Sequence, residues 1–214
     1  MIGTGLIGGS FALAAKKAQL VETVIGMDID ENAIEDAKKF GVIDERNEVT
    51  RRPDLICVAV PTQEIADSVN AAQSKYGSNI PIFDTGSVKA PVIEAFESVP
   101  NYFVPCHPIA GSDRRGVAAS DADLFQDRAV IITPLKNTDE TAIATIEKTI
   151  TNIMKELIIA IGLLFFIEGA LYALFPSKMK NMLKTIESMQ VNQLRIGGLI
   201  FATIGFVIVW YFKG

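Results

Sequence analysis

From its first residues to about Thr151 the chain alternates short β-branched runs with amphipathic stretches. Apolar runs bounded by turn residues predict strands over Thr23–Met27, Leu55–Val60, Ile80–Phe83, Tyr102–Pro105 and Ala129–Thr133. Apolar positions recurring at helical spacing predict helices over Leu6–Gln19, Glu31–Phe40, Gln63–Tyr76, Val88–Glu97 and Asp139–Ile153. Strands that are apolar throughout are buried on both faces, and the intervening helices supply the cover. The expected architecture is an α/β, doubly wound parallel sheet.

The pattern changes at Met154. Leu157–Phe175 is 19 residues with one charge, Glu168, and Pro176 closes it; Ile196–Phe212 is 17 residues with none. A membrane-crossing helix needs about 17–25 mostly apolar residues, so an all-α hairpin of two transmembrane helices is expected. Trp210 and Tyr211 end the second span, where amphipathic rings favour the headgroup layer. Between the spans, Ser177–Leu194 puts Met179, Met182, Leu183 and Ile186 on one helical face and Lys178, Lys180 and Lys184 elsewhere. That is the pattern of an interfacial helix whose lysines meet anionic lipid. Two core helices of a soluble domain are the competing reading, but two nearly uncharged spans this close together are rare in cores. The expected units are residues 1–152 and 154–214.

Composition explains the contrast. Of 214 residues 21% are charged, near the soluble average of roughly a quarter, yet mean hydropathy is +0.30. Residues 1–153 carry 14 Lys and Arg against 22 Asp and Glu, whereas residues 154–214 carry six against three. The acidic first part argues against a nucleic-acid partner, which needs clustered Lys and Arg to neutralise phosphates. Cys57 and Cys106 form no C-x-x-C pair, so no metal or disulfide framework is expected. The opening MIGTGLIGGS lacks the basic stretch and cleavage site of a secretory signal.

Gly3-Thr-Gly5-Leu6-Ile7-Gly8 is a G-x-G-x-x-G run opening a predicted helix, and the next predicted strand ends at Asp28, twenty residues after Gly8. A strand–loop–helix context with an acid at that distance is the dinucleotide-binding, Rossmann-type fingerprint. Gly3 would allow the tight turn, Gly5 the approach of the pyrophosphate, and Gly8 close helix–strand packing. Leu6 and Ile7 open the helix, whose N-terminal amides and dipole favour phosphate. Asp28 would accept from the adenine ribose and repel a 2′-phosphate, and Ile29 offers no cation, so NAD is expected rather than NADP. Only Met1 and Ile2 precede Gly3, fewer than the ~5–6 residues of an ordinary strand. Either the true start lies upstream or the cofactor domain is weakened at its central strand.

Two further segments follow predicted strands: FDTGSVK (Phe83–Lys89) and VPCHPIAGSDRRG (Val104–Gly116). Doubly wound folds bind ligands at that edge of the sheet. Thr85 and Ser87 could offer hydroxyls to nicotinamide or substrate. His107 is the single histidine and is expected in a loop directly after a strand, shaped by Pro108 and Gly111. A solitary His is ordinarily a core or surface residue; beside a dinucleotide loop it reads equally as a proton acceptor, with an ordinary pKa of ~6.5 suited to the task.

GTGLIGGS, the VAVP of Val58–Pro61, DTGSVK and HPIAGSDRRGV, in this order and spacing, resemble prephenate dehydrogenases of tyrosine biosynthesis. Generic β-hydroxyacid dehydrogenases share the glycine loop but not the last two segments. The resemblance implies NAD-dependent oxidative decarboxylation of prephenate to 4-hydroxyphenylpyruvate. It makes His107 the residue that helps remove the ring hydroxyl proton and Ser87 the one that orients it. Val60, Pro61 and Thr85 become cofactor neighbours. Such enzymes continue into a helical domain that dimerises and supplies an arginine for the substrate carboxylate, so the resemblance leaves a homo-oligomer open without fixing the oligomeric state. The resemblance stops near Ile150, so that domain is not expected here, and the chain alone is expected to bind NAD but turn over prephenate poorly.

From Met154 the chain resembles a family of small two-helix bacterial inner-membrane proteins of unknown function, as though two genes were joined at that residue. Glu168 would be protonated, paired across the hairpin, or functional, since a charge at mid-membrane is costly. Gly197, Gly198 and Gly205 would permit close helix approach. Lys178, Lys180, Lys184 and Arg195 between the spans favour a cytoplasmic loop. A folded NAD-dependent domain without a signal favours cytoplasmic residues 1–150 instead. The second argument prevails, giving inner-membrane localisation with the dehydrogenase part in the cytoplasm.

Overall fold

In the computed structural model the backbone is described for residues 1–46, 51–153 and 156–213, and side chains for these except 156–164, 205 and 208–213. Two compact units result, Met1–Leu157 and Ile158–Gly214. The junction expected at Met154 lies outside the described residues.

The first unit contains β1 (Ile25–Gly26), β2 (Glu45–Arg46), β3 (Ile56–Val58), β4 (Ile82–Asp84), β5 (Phe103–Val104), β6 (Cys106–Pro108) and β7 (Val130–Ile132). Its helices are α1 (Leu6–Lys17), α2 (Glu31–Lys39), α3 (Ile65–Tyr76), α4 (Ala90–Glu94) and α5 (Glu140–Ile153). β1 pairs with β2, β3 with β4 and β4 with β5, all parallel. Ile2 bridges Met27 on one side and Val58 on the other, so the spatial order is β2–β1–Ile2–β3–β4–β5. That order runs outward in both directions from the strand position that comes first in the chain, as in a doubly wound sheet.

The short central stub does more ladder bonding than its length suggests. Ile2 N–H donates to Cys57 at 2.8 Å, Ala59 N–H to Ile2 at 2.7 Å, Gly3 N–H to Met27 at 2.8 Å and Met27 N–H to Met1 at 2.9 Å. Three residues, Met1, Ile2 and Gly3, therefore join both halves of the sheet.

Strand alternation builds the two cores. Ile56, Val58, Ile82 and Phe103 face α3 and α4 with Ile65, Val69 and Val92. Their neighbours Cys57, Phe83 and Val104 face the other way, onto Ala142, Ile146 and Ile150 of α5. Successive side chains of a strand point to opposite faces, so a run apolar at every position feeds a core on each side.

Several expected elements differ. All five strands are shorter than their apolar runs, and β2 and β6 were not foreseen: β2 is two polar residues at the sheet edge. Beside the parallel sheet stands a separate antiparallel pair, β6 with β7, which places Cys106, His107 and Pro108 opposite Ile132, Ile131 and Val130. His107 thus lies inside a strand rather than in a strand-end loop. The cause is Pro105: without an N–H it cannot continue the parallel ladder, and its carbonyl instead accepts from Thr133 N–H at 2.9 Å. α4 is half its expected length, beginning after Lys89 with Pro91 in its first turn.

The second unit comprises α6 (Glu156–Leu174), α7 (Pro176–Ser188) and α8 (Val191–Lys213). The helix expected over Ser177–Leu194 is broken: Met189 is extended, and α8 starts five residues before the predicted 196. Gln193 explains the new start, its Oε1 accepting Gln190 N–H at 3.1 Å, which is half of a capping box. Among the described residues no helix is long and apolar enough to cross a membrane, so α6 and α8 occupy the expected spans as helices without being shown to cross one. The side chains of Trp210 and Tyr211 lie outside the described residues.

Candidate dinucleotide and catalytic site

Because the strands from β1 to β5 are parallel, their carboxyl ends share one edge, and the candidate residues collect there. Gly3 follows Ile2 with φ +86°, and a Cβ would sit 2.4 Å from Ala59 O, so only glycine fits. A Cβ on Gly8 would meet Gly3 O at 2.1 Å, which fixes α1 against the loop. Gly5 is different: a Cβ there meets nothing within 4 Å. Its absent side chain leaves open space, where a ligand phosphate can approach.

Gly5 is also the N-cap of α1, and no side chain caps the helix or places an acid in its first turn. The first i→i−4 bond runs from Gly9 N–H to Gly5 O at 2.8 Å, leaving the amides of Leu6, Ile7 and Gly8 ahead of it. Unpaired amides and the dipole end together suit an anion. Ile7 packs its side chain into the apolar cluster around Phe125, so it serves the loop through backbone alone.

Asp28 stands at the end of β1, half-buried. Its Oδ2 accepts Thr4 N–H at 2.7 Å and Thr4 Oγ1 at 3.0 Å, and its Oδ1 accepts Asp30 N–H at 3.1 Å. The acid expected for the ribose is thereby tied to the glycine loop. Val60 follows β3, its Cγ1 3.1 Å from where a Gly3 Cβ would stand, and Pro61 is exposed beside it. Thr85 follows β4 and donates its N–H to Val58 O at 3.1 Å. These residues fit a dinucleotide: an open phosphate approach, uncapped amides, and an oriented carboxylate.

The two residues expected to be catalytic are less closely assembled. Ser87 is exposed on the loop between β4 and α4, and His107 is half-buried on β6. His107 Nδ1 is buried and has no hydrogen-bond partner among the described residues, so Ser87 does not bond it there. A buried, unpartnered imidazole nitrogen is costly in a site that stays empty. It is available to a ligand hydroxyl or a neighbouring side chain.

One residue at the centre of the site was missed. Asp84, the last residue of β4, is wholly buried. Its carboxylate accepts Gly86 N–H at 2.9 Å, Cys106 N–H at 3.1 Å and the Lys89 ammonium. One buried carboxylate therefore holds the Thr85–Ser87 loop to the strand that carries His107. The signal was in DTGSVK: an Asp closing an apolar strand run with a Lys five residues later. Its buried environment also governs the two thiols. Burial pushes Cys57 up to about 12, and burial with nearby Asp84 pushes Cys106 up as well, so both are inert thiols rather than nucleophiles. Among the described residues no group of three or more His, Cys, Asp or Glu could hold a metal ion.

Fold and site together define a doubly wound nucleotide-binding domain with its ligand edge at the glycine loop. Residues 11–159 match the family model described as prephenate dehydrogenase, nucleotide-binding domain, and the chain belongs to that family. The match begins after the glycine loop, which the geometry above places independently. Residues 157–212 match a second model, an uncharacterized protein conserved in bacteria (DUF2065). The prephenate dehydrogenase of Bacillus subtilis is 36% identical over 151 residues, 67% of this chain and 41% of that protein. The cyclohexadienyl dehydrogenase of Zymomonas mobilis is 37% identical over 152 residues, 68% of this chain and 52% of that protein. A crystal structure of Aquifex aeolicus prephenate dehydrogenase with hydroxyphenyl propionate and NAD+ superposes with TM-score 0.67 at 27% identity, covering 72% of this chain and 56% of that one. The chain spans about half the length of the curated relatives it matches.

Proposed function

We propose that the first unit binds NAD and carries out the oxidative decarboxylation of prephenate to 4-hydroxyphenylpyruvate. The observation that carries this reading is the gathering of Gly3, Gly5, Gly8, Asp28, Thr85 and His107 along one sheet edge in a chain of this family. NAD is the cofactor: the nucleotide-binding domain of the family is present, and the related Aquifex aeolicus structure holds NAD+. Gly5 and the α1 amides would hold its pyrophosphate and Asp28 its adenine ribose. When bound, NAD accepts the hydride that leaves the substrate ring carbon. His107 takes up the ring hydroxyl proton, and Ser87, on its exposed loop, orients that hydroxyl. Asp84 keeps loop and strand in register so that the two groups converge.

The test is a binding titration with NAD followed by prephenate-dependent NADH formation. Wild type should form NADH, and His107→Asn should bind NAD normally while losing about 100-fold or more in rate. Absence of NAD binding overturns the reading. A second reading, cofactor binding without turnover, is favoured by residues 157–212 matching a different family directly after the nucleotide-binding domain. Saturable NAD binding with no NADH formed would select it.

The second unit is assigned to the inner (cytoplasmic) membrane, with the dehydrogenase unit in the cytoplasm. Support comes from Phe165, Phe166, Phe201 and Phe206, all exposed on α6 and α8, and from exposed Lys178, Lys180 and Lys184 on α7. Exposed apolar area of this kind calls for a lipid or protein cover. Flotation with vesicles and protection of residues 1–150 from external protease in spheroplasts are the expected results; a freely soluble full-length chain would refute the assignment.

A further inference from the structure

Thr4 is the second residue of the glycine loop and is wholly buried, although it is polar. Its hydroxyl lies 3.0 Å from Asp28 Oδ2, the same oxygen that accepts its backbone N–H at 2.7 Å. A threonine hydroxyl has a single proton to give, and here it goes to the carboxylate. We propose that the Thr4 side chain is a positioning residue that locks Asp28 for an unphosphorylated adenine ribose and thereby sets the preference for NAD over NADP. This deepens the nucleotide reading above and rests on it.

The argument is one of acceptor capacity. A carboxylate offers about four acceptor positions, two on each oxygen. Both positions on Oδ2 are filled by Thr4, and one on Oδ1 is filled by Asp30 N–H at 3.1 Å. Among the described residues this leaves a single acceptor position on Oδ1, which suits a ribose hydroxyl that donates. A 2′-phosphate only accepts, and it would meet a carboxylate unable to swing aside, because Oδ2 is held from two directions. The neighbouring side chain, Ile29, is fully exposed and uncharged, so it offers a phosphate no compensation. Without the Thr4 hydroxyl, the backbone N–H still holds Oδ2, but the carboxylate plane can turn. Affinity for NAD then falls and exclusion of NADP weakens together.

The experiment is a calorimetric titration of the full-length chain in detergent with NAD and with NADP, comparing wild type, Thr4→Ser and Thr4→Val. Thr4→Ser keeps the hydroxyl and should retain the wild-type ratio of the two dissociation constants. Thr4→Val keeps the shape and should weaken NAD severalfold, because the Asp28 carboxylate is then held at Oδ2 by the Thr4 backbone N–H alone, while narrowing the NADP-to-NAD ratio severalfold. Thr4→Ala makes the same prediction should the valine variant fold poorly. In an Asp28→Asn background, Thr4→Val should no longer change the ratio. An unchanged ratio in Thr4→Val and Thr4→Ala overturns the proposal, and so does a Thr4→Ser variant that shifts as far as Thr4→Val, which would make the methyl group decisive. Wild type that binds neither nucleotide overturns the nucleotide reading itself, an outcome distinct from these.

Discussion

Phe103 and Phe201 are the same residue type in two differently built units. Phe103, on β5, is wholly buried with its ring centred 5.4 Å from that of Phe96 and tilted by 47°, whereas Phe201, on α8, is 77% exposed. In the first unit the apolar pattern is consumed internally: sheet residues alternate between a core with α3 and α4 and a core with α5. In the second unit the helices are held by their own backbone bonds, and most of the large apolar side chains among the described residues are exposed. Hydrophobic burial thus stabilises the first unit and leaves the second with a surface to be covered. The lesson is that equal hydrophobicity need not mean equal contribution to folding; what counts is whether the chain supplies its own cover.

Truncation of each phenylalanine tests that contrast most directly. Phe103→Ala should cost about 4 kcal/mol in urea unfolding of the full-length chain, through lost transfer energy and the cavity left behind. Phe201→Ala should change that stability by less than about 0.5 kcal/mol. Equal losses would dissolve the distinction between the units.

A second test concerns the polar part of the buried unit. Asp84→Asn keeps the shape but leaves the Lys89 ammonium, 17% exposed, facing a neutral group. The expected destabilisation is about 3 kcal/mol, the scale of breaking a buried pair on one side. The same variant should reduce any NADH formation, because the Ser87 loop and the His107 strand both hang on Asp84. A variant as stable as wild type would show that the apolar cores alone hold this edge.

The glycine loop sharpens the comparison further, since function and packing separate within it. Gly3→Ala forces a side chain at φ +86° against Ala59 and should cost about 2 kcal/mol. Gly5→Ala enters open space, so stability should hold within about 0.5 kcal/mol, while NAD affinity falls at least about tenfold through blocked phosphate approach. Unimpaired NAD binding by Gly5→Ala would remove Gly5 from the site.

The smallest expected effect is at the start of α5. Asp139 accepts from the Thr141 hydroxyl and from the N–H groups of Thr141 at 2.8 Å and Ala142 at 3.1 Å. The Thr141 hydroxyl, with these amides, lowers its pKa below the ordinary aspartate value. A lowered folded-state pKa means the stabilisation is complete above the unfolded value of ~3.9 and is lost as pH falls through the folded value. Stability measured across that acid range should fall less steeply in Asp139→Asn. Identical acid profiles would deny the carboxylate this role.

Much of this was legible beforehand, for identifiable reasons. The runs around Ile56–Val58 and Ile82–Phe83 read as doubly covered strands because both neighbouring positions are apolar. The glycine loop and Asp28 were legible because their spacing is itself the constraint. Asp84 was not, since an acid after a strand run looks like the start of a loop, and its partner Cys106 N–H lies 22 residues away. Nor was β6, because the pairing of His107 with Ile131 depends on Pro105 ending one ladder and a distant strand starting another.

The sequence by itself determined which residues alternate, which glycines tolerate no side chain, and where an acidic α/β half gives way to an apolar helical one. These are local properties, set by periodicity, backbone sterics and composition. Tertiary structure alone decided that three residues, Met1 to Gly3, join the halves of the sheet, that Asp84 ties loop to strand, and that Thr4 holds Asp28. Those are matters of hydrogen-bond pairing between distant segments. A buried donor or acceptor finds its partner only once the packing of everything else has brought the two within reach.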